Sequence, residues 1–201
     1  MPRYLYDITK RGLDVGLSLV LFLLSLPLIL LSCSLILLTT GRSPLLRQVR
    51  IGEQGRAFVM LKLRTMRIED ESVEPAPPAP GQFLIGKTMG DPRVTRIGRV
   101  LRRSSIDELP QLLNVLLGQM SLVGPRPGLP VEVARYPHSW RRRLGVKPGL
   151  TGLWQVSGRS DLSFCEMMDL DIRYVEEWSI RRDILLLLRT PLAVLSARGA
   201  Y

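Results

Sequence analysis

An uncharged apolar run near the N-terminus constrains the fold of this chain more than any other feature. Val15 to Thr39 is 25 residues without a charge. As one helix it would be about 37 Å long, enough to cross a bilayer core of about 30 Å. Pro27 lies near its middle, where the ring removes a backbone hydrogen bond and kinks a helix, and each half alone reaches only about 18 Å. The run therefore predicts either a kinked transmembrane helix or a hairpin that enters the bilayer and returns.

The flanks of this run are basic on both sides. A transmembrane helix usually carries its excess of Lys and Arg on one side only. Cations at both ends favour the hairpin, with both ends on the cytoplasmic face, although they leave the spanning helix open. The flanking cations are Arg3, Lys10, Arg11, Arg42, Arg47, Arg50 and Arg56.

The overall charge limits the classes of partner. A formal net charge of +10 and a pI of about 10.4 imply an acidic partner, namely nucleic acid, anionic lipid or a phosphorylated small molecule. Cys33 and Cys165 are too few for a disulfide framework. His138 is the one histidine, so a multi-histidine metal site is excluded. A site for a hard cation must use carboxylates or substrate phosphates.

The rest of the chain predicts an α+β fold that is mostly helical, with few short strands. We expect residues 1–41 to form a membrane anchor and residues 42–201 to form a second domain. The last two helices place basic residues beside apolar ones, which suits an anionic membrane surface or ordinary core packing. The predicted elements are a strand within Arg56–Met66, an acidic proline-rich loop over Ile68–Gln82, a helix capped by Thr95 and ending at Arg103, a helix over Glu108–Leu117, a strand over Met120–Val123, and helices over Glu132–Val146, Asp161–Trp178 and Ile180–Ser196.

Two adjacent carboxylates, Asp107 and Glu108, lie where an apolar helix is predicted to begin. Ser105 and Glu108 fit a capping box, but that register places Pro110 fifth in the helix, where it costs a hydrogen bond. With Asp107 as the N-cap, Pro110 falls in the first turn, where proline is tolerated, so we prefer this register. Either way the two acids lie at the positive end of a helix dipole.

The acid pair has a structural and a chemical interpretation. A capping aspartate followed by a second acid is common at helix starts and needs no catalytic role. An aspartate can also act as a nucleophile towards phosphorus, and a neighbouring glutamate can hold a metal or handle a proton. Arginines upstream would neutralise phosphate oxygens: Arg93, Arg96, Arg99, Arg102 and Arg103.

Ordered motifs on both sides of the acid pair decide between these interpretations. The chain closely resembles the small monotopic phosphoglycosyl transferases, the bacterial polyprenyl-phosphate sugar transferase family. The resemblance extends over almost the entire chain. The matching stretches are Lys10-Arg11-x-x-Asp14, Lys62 to Met66, Asp91 to Thr95, Ser105 to Gln111, Asn114 to Leu116, Met120 to Pro127, Lys147 to Gly152, Gly158-Arg159 and Asp169-x-Asp171-x-x-Tyr174-Val175.

The resemblance implies a reaction. Members of the family transfer a sugar-1-phosphate from a UDP-sugar to polyprenyl (undecaprenyl) phosphate in a ping-pong exchange, and they need Mg2+. Asp107 matches the family nucleophile, which attacks the sugar-bearing phosphate and releases UMP. Glu108 matches the second acid, implicated in magnesium binding or in activating the lipid phosphate. Asp107 and Glu108 are therefore the expected catalytic residues and metal ligands.

The resemblance also implies binding residues and a location. Arg159 matches a phosphate-binding arginine, Lys62 and Arg64 match a basic turn, and Arg126 in the Gly-Pro-Arg-Pro turn is a further candidate. The apolar run resembles a re-entrant helix-break-helix with its break at Pro27. The expected location is the cytoplasmic face of the bacterial inner membrane, in contact with the lipid bilayer, and a homodimer is one option. The alternatives are a membrane-tethered nucleic-acid-binding protein, for which no motif is present, and an inactive structural envelope protein.

Overall fold

The computed structural model describes residues 3–67 and 91–196, so the predicted loop Ile68–Gln82 lies outside the described residues. The described part is mostly helical with few short strands, which confirms the coarse fold prediction. The helices are α1 (Arg3–Thr40), α2 (Arg96–Arg103), α3 (Gln111–Leu116), α4 (Pro130–Val133), α5 (His138–Arg141), α6 (Leu153–Ser157), α7 (Phe164–Glu176) and α8 (Ile180–Ser196). The strands are β1 (Leu45–Ile51), β2 (Ala57–Leu63), β3 (Ser121–Val123) and β4 (Gly149–Thr151).

The apolar run forms a single helix, α1, that contains Pro27 in its interior. The predicted helix-break-helix is not confirmed, because helical residues continue through the proline without interruption. A proline inside a helix removes one hydrogen bond but its φ angle is compatible with helix, so a break is not obligatory. The stretch Ile8–Thr40 is long and apolar enough to cross a membrane. Most of its leucines are exposed.

One face of α1 packs against the rest of the chain over most of its length. The buried residues on this face recur at helical spacing: Asp14, Ser18, Ile29, Ser32 and Ile36. Near the start of the helix, Asp14 accepts hydrogen bonds from the backbone of Leu122 and the hydroxyl of Ser121, at 3.0 and 3.1 Å. Near its end, Ile36 packs with Leu63 and Leu101. Both halves of α1 therefore contact the domain.

The strands form two small sheets. β1 and β2 pair antiparallel, with Lys62 opposite Leu46 and Arg50 opposite Phe58. β3 and β4 pair parallel at the centre of the domain. Asn114 of α3 fastens the hairpin to the core, because its amide accepts from Leu61 N (3.0 Å) and donates to Val59 O (2.7 Å) on β2. The main buried cluster is Met60, Leu112, Val115, Met120, Leu122, Val123, Tyr174 and Leu186.

Several predicted helices are confirmed and one is wrong. Thr95 caps α2 by accepting from Gly98 N at 2.9 Å, and α8 has the predicted bounds. The predicted helix Glu132–Val146 is instead two four-residue helices, α4 and α5, followed by a 3-10 turn. Pro137 explains the division, since it has no N–H to continue a helix and takes an extended conformation before α5.

Candidate active site

The acid pair lies in a 3-10 turn, Ile106–Glu108, rather than at the start of a long helix. α3 begins at Gln111, directly after Pro110, so both predicted registers are wrong and Asp107 is not an N-cap. Ser105 precedes the turn with a φ of 57°. Because Pro110 cannot donate to an upstream carbonyl, the chain makes a separate short turn before the helix starts. The site therefore does not depend on a helix dipole.

Lys62 on β2 holds the carboxylate of Asp107. Its Nζ lies 2.7 Å from Asp107 Oδ2, and the side chains are only 14% and 3% exposed. A buried charge is tolerated when an opposite charge and hydrogen bonds compensate for its lost hydration. Lys62 thus supplies a positive charge that compensates for the burial of the Asp107 carboxylate.

Glu108 pairs with the arginine of the Gly-Pro-Arg-Pro turn. Arg126 Nη2 lies 2.8 Å from Glu108 Oε1, and both side chains are partly buried. The neighbouring Glu108 raises the pKa of Arg126, so the guanidinium stays charged. The two acids therefore form their salt bridges with different cations, although they are adjacent in the chain.

Arg159 contacts the same segment through Ser105, the residue that precedes the turn. It donates to Ser105 Oγ at 3.0 Å and to Ala193 O at 3.4 Å. The backbone of Arg159 has a φ of 55°, which is a left-handed conformation, and Gly158 directly precedes it in the chain. Burial lowers the pKa of Arg159, in the direction expected for a cation that has lost part of its hydration.

These residues surround a cavity of about 600 Å³. Its polar part contains three carboxylates (Asp107, Glu108 and Glu132). Its apolar part includes residues of α1 and α8. The arginines that line it are Arg50, Arg102, Arg126, Arg143 and Arg159. An excess of cations in a partly apolar cavity suits an anionic ligand that also has an apolar portion.

The structure brings most of the predicted site residues together, with two exceptions. Asp107, Glu108, Arg126 and Arg159 line the cavity, and Lys62 contacts Asp107. Arg64 is not among the lining residues; its Nε donates to Ser43 O at 2.8 Å. Pro27 lies on α1 with its side chain exposed.

Sequence reasoning missed a buried arginine beneath the site. Arg143 is 3% exposed and pairs with Asp171, which is fully buried. The same guanidinium donates to Arg126 O at 2.6 Å and to the hydroxyl of Tyr136 at 2.8 Å. Burial raises the pKa of Asp171 to about 6, although Arg143 opposes the shift. The motif that contains Asp171 could have indicated a buried acid, but its pairing with Arg143 follows from tertiary packing alone.

The donor set is compatible with Mg2+ only in the presence of a substrate. Within residues 3–67 and 91–196, no group of three or more His, Cys, Asp or Glu side chains could hold a metal by itself. Mg2+ is commonly held by one or two carboxylates together with phosphates and water. Asp107 and Glu108 supply two adjacent carboxylates in the cavity, so they fit such a shared site.

Comparison with known proteins identifies the family. The sequence model of the family described as "Bacterial sugar transferase" matches residues 5–197. The chain belongs to the bacterial sugar transferase family. It is therefore a transferase, and its long apolar helix indicates membrane association.

Relatives that are named as sugar transferases or polysaccharide production proteins support this membership. The UDP-glucose:undecaprenyl-phosphate glucose-1-phosphate transferase of Caulobacter vibrioides is 43% identical over 210 residues, covering 100% of this chain and 75% of the relative. ExoY of Sinorhizobium fredii, an exopolysaccharide production protein, is 40% identical over 96% of this chain and 88% of its own length. The galactosyl transferase CpsE of Streptococcus agalactiae is 40% identical over 98% of this chain, which spans 44% of that relative.

Proposed function

We propose that this bacterial sugar transferase moves a sugar-1-phosphate from a UDP-sugar to polyprenyl phosphate. The observation that carries the proposal is the cavity in which Asp107 and Glu108 meet five arginines and an apolar wall. The arginines match the charge of a diphosphate, and the apolar wall matches an isoprenoid chain. The name of the Caulobacter relative describes a reaction of this kind.

In the proposed first half-reaction, an oxygen of Asp107 attacks the phosphorus that carries the sugar. The bond from that phosphorus to the bridging oxygen breaks, and UMP leaves with the electron pair. Lys62 holds Asp107 ionised and oriented, because it lies 2.7 Å from Oδ2. Arg159, beside the acid pair, is placed to neutralise phosphate oxygens during the attack.

In the proposed second half-reaction, a phosphate oxygen of the lipid attacks the same phosphorus. The bond to Asp107 breaks, and the carboxylate is regenerated with its electron pair. Glu108 is the second acid of the pair, and it is oriented by its salt bridge with Arg126, in which Oε1 lies 2.8 Å from Nη2. A bound Mg2+ would be held by Asp107 and Glu108 with substrate phosphates, and it would neutralise phosphate charge.

The proposal places the catalytic domain on the cytoplasmic face of the bacterial inner membrane. The exposed leucines of α1 and of α8 (Leu185, Leu188, Leu192 and Leu195) form the apolar surfaces that would contact lipid. Contacts between the domain and both halves of α1 support an anchor whose two ends lie on one side. A helix that stays continuous but bends at Pro27, so that it enters and leaves the bilayer on one face, would satisfy this condition.

The test of the reaction is incubation of the purified full chain with UDP-sugars in the absence of lipid. We expect release of about one UMP per enzyme and an added sugar-phosphate mass on the peptide that contains Asp107. Asp107→Asn should abolish both signals, whereas the exposed Asp169→Asn should retain them. Full turnover by Asp107→Asn would contradict the nucleophile, and no UMP release from any UDP-sugar would contradict the function.

The test of the anchor is cysteine labelling in sealed inverted vesicles. The native Cys33 and Cys165 are first replaced by serine, and single cysteines are then introduced at Arg3 and Arg42. An impermeant reagent should label both positions, because the cytoplasmic face of inverted vesicles is outside. Labelling of neither position would contradict the cytoplasmic location. Labelling of only one position would support a helix that spans the membrane.

A further inference from the structure

Arg50 on β1 is another arginine of the cavity, and it has no role in the reaction described so far. It lines the cavity together with Arg126. Its nitrogens donate to two uncharged acceptors, Gln48 Oε1 at 2.8 and 3.1 Å and Pro127 O at 3.1 Å. Among the described residues, no carboxylate forms an ion pair with it.

The surroundings of Arg50 leave its charge poorly compensated. Burial, followed by repulsion from Arg126, lowers the pKa of Arg50 to about 10. The carboxylates of Glu132 and Glu108 act in the opposite direction but do not restore the usual value. A desolvated cation of this kind is stabilised when an anion enters beside it.

The β1–β2 hairpin fixes where Arg50 lies relative to Asp107. Lys62 pairs with Leu46, and Arg50 is four residues further along β1, so both cations point to the same face. The separation along the strand is about 13 Å. Lys62 contacts Asp107, Arg126 contacts Glu108, and Arg50 contacts the carbonyl of Pro127. These contacts form a series that connects Asp107, the acid that attacks, to Arg50 through Glu108, Arg126 and Pro127.

The geometry of phosphoryl transfer suggests a role for Arg50 at the far end of this series. The attacking and leaving oxygens lie roughly in line on opposite sides of phosphorus. UMP therefore leaves on the side opposite Asp107. When the lipid phosphate displaces Asp107 in turn, it must attack from that same side. The nucleotide phosphate and the lipid phosphate consequently occupy one position, beyond the attacked phosphorus.

We propose that Arg50 and Arg126 form this shared phosphate site, binding the departing nucleotide phosphate in the first half-reaction and the attacking lipid phosphate in the second. The inference rests on the proposed function and deepens it. Because one site serves both substrates, UMP and polyprenyl phosphate exclude each other there. The nucleotide must leave before the lipid can react.

The experiment compares Arg50→Gln and Arg50→Lys with Arg47→Gln, all in the full detergent-solubilised chain. Arg47 lies on the same strand but on the opposite, exposed face. Thermal stabilisation by UDP and by uridine measures binding with and without phosphates. Rapid quenching measures UMP release from enzyme and UDP-sugar, and the transfer of a preformed phosphosugar from the enzyme to polyprenyl phosphate.

We expect Arg50→Gln to weaken UDP binding and to slow each half-reaction by about ten- to hundredfold, the range for a lost hydrogen bond to a charged group. Arg50→Lys should recover part of the loss, since it keeps the charge but not the fork. Stabilisation by uridine should be unchanged, and Arg47→Gln should behave as wild type.

Two results would overturn the inference while leaving the proposed function intact. One is wild-type UDP binding and wild-type rates in Arg50→Gln. The other is a defect confined to one half-reaction, which would show that the phosphate site is not shared. If Arg50→Gln does not fold, Arg50→Lys decides, because equal loss of uridine and UDP binding would indicate a structural role. If the wild-type enzyme releases no UMP, the proposed function itself is wrong.

Discussion

Removal of Lys62 is the most direct perturbation of the site. Lys62→Met nearly keeps the length of the side chain and deletes its charge, so the buried carboxylate of Asp107 loses its salt bridge with Lys62. At 2.7 Å, and with an effective dielectric constant of about 20, the attraction between the two charges is about 6 kcal/mol. Dehydration of both groups offsets most of it, but breaking one side of a buried pair costs about 3–5 kcal/mol.

Unfolding in detergent, followed by tryptophan fluorescence and calorimetry, measures this cost. For a chain of this size, a loss of 3–5 kcal/mol corresponds to a fall in Tm of roughly 10 °C. The double variant Lys62→Met with Asp107→Leu removes both charges and should lie within about 1 kcal/mol of wild type. Arg64→Met is the matched control, since it removes one hydrogen bond to Ser43 O and should cost about 1 kcal/mol.

Two outcomes of the double-mutant cycle would contradict this explanation of the stability loss. If Lys62→Met is no more destabilising than Arg64→Met, the two charges of the pair are not desolvated. If the double variant is as unstable as Lys62→Met, the cost does not come from the stranded Asp107. Either result would show that Lys62 does not compensate for the buried charge of Asp107.

Three further predictions concern the residues that support the site. Asp171→Asn leaves the buried charge of Arg143 without its carboxylate, although its hydrogen bonds to Tyr136 and Arg126 O remain, so it should cost about 3 kcal/mol and slow UMP release; unchanged denaturation and kinetics would contradict this. Asn114→Ala removes two hydrogen bonds to β2, so a loss of about 2 kcal/mol and slower UMP release are expected; wild-type burst kinetics would argue against its positioning role. Gly98→Ala places a Cβ 2.1 Å from Thr65 O and should lower stability by about 3 kcal/mol, whereas Gly145→Ala, with open space around it, should change it by less than about 0.5 kcal/mol; equal Tm values for the two would contradict the close approach.

Local patterns predicted the elements whose residues interact mainly with near neighbours. Thr95 caps α2 as expected, and α8 has the predicted bounds, because capping and helical periodicity depend on residues within one or two turns. The same reasoning failed where proline intervened. Pro137 divides the helix that was predicted over Glu132–Val146, and Pro110 separates the acid pair from α3.

The candidate site shows the same division between local and distant information. Asp107, Glu108, Lys62, Arg126 and Arg159 were named from motifs, and the structure places them around one turn. Their pairing was not predictable, because Lys62 and Asp107 are 45 positions apart in the chain. The motif gave no reason to separate Arg64 from Lys62. On a strand, residues two apart point to the same face, but β2 ends at Leu63 and Arg64 lies beyond it.

A long apolar segment, two adjacent acids and an excess of arginines are evident from the amino-acid sequence. These features follow from composition and from spacing along the chain. Which cation contacts which acid, and that Arg50 and Arg143 line the same cavity, became known from the folded structure. The physical reason is that such contacts depend on the packing of distant segments, here the hairpin, the Gly-Pro-Arg-Pro turn and α7, onto one core. The same packing holds the uncharged run Val15 to Thr39 against the domain along one face of α1.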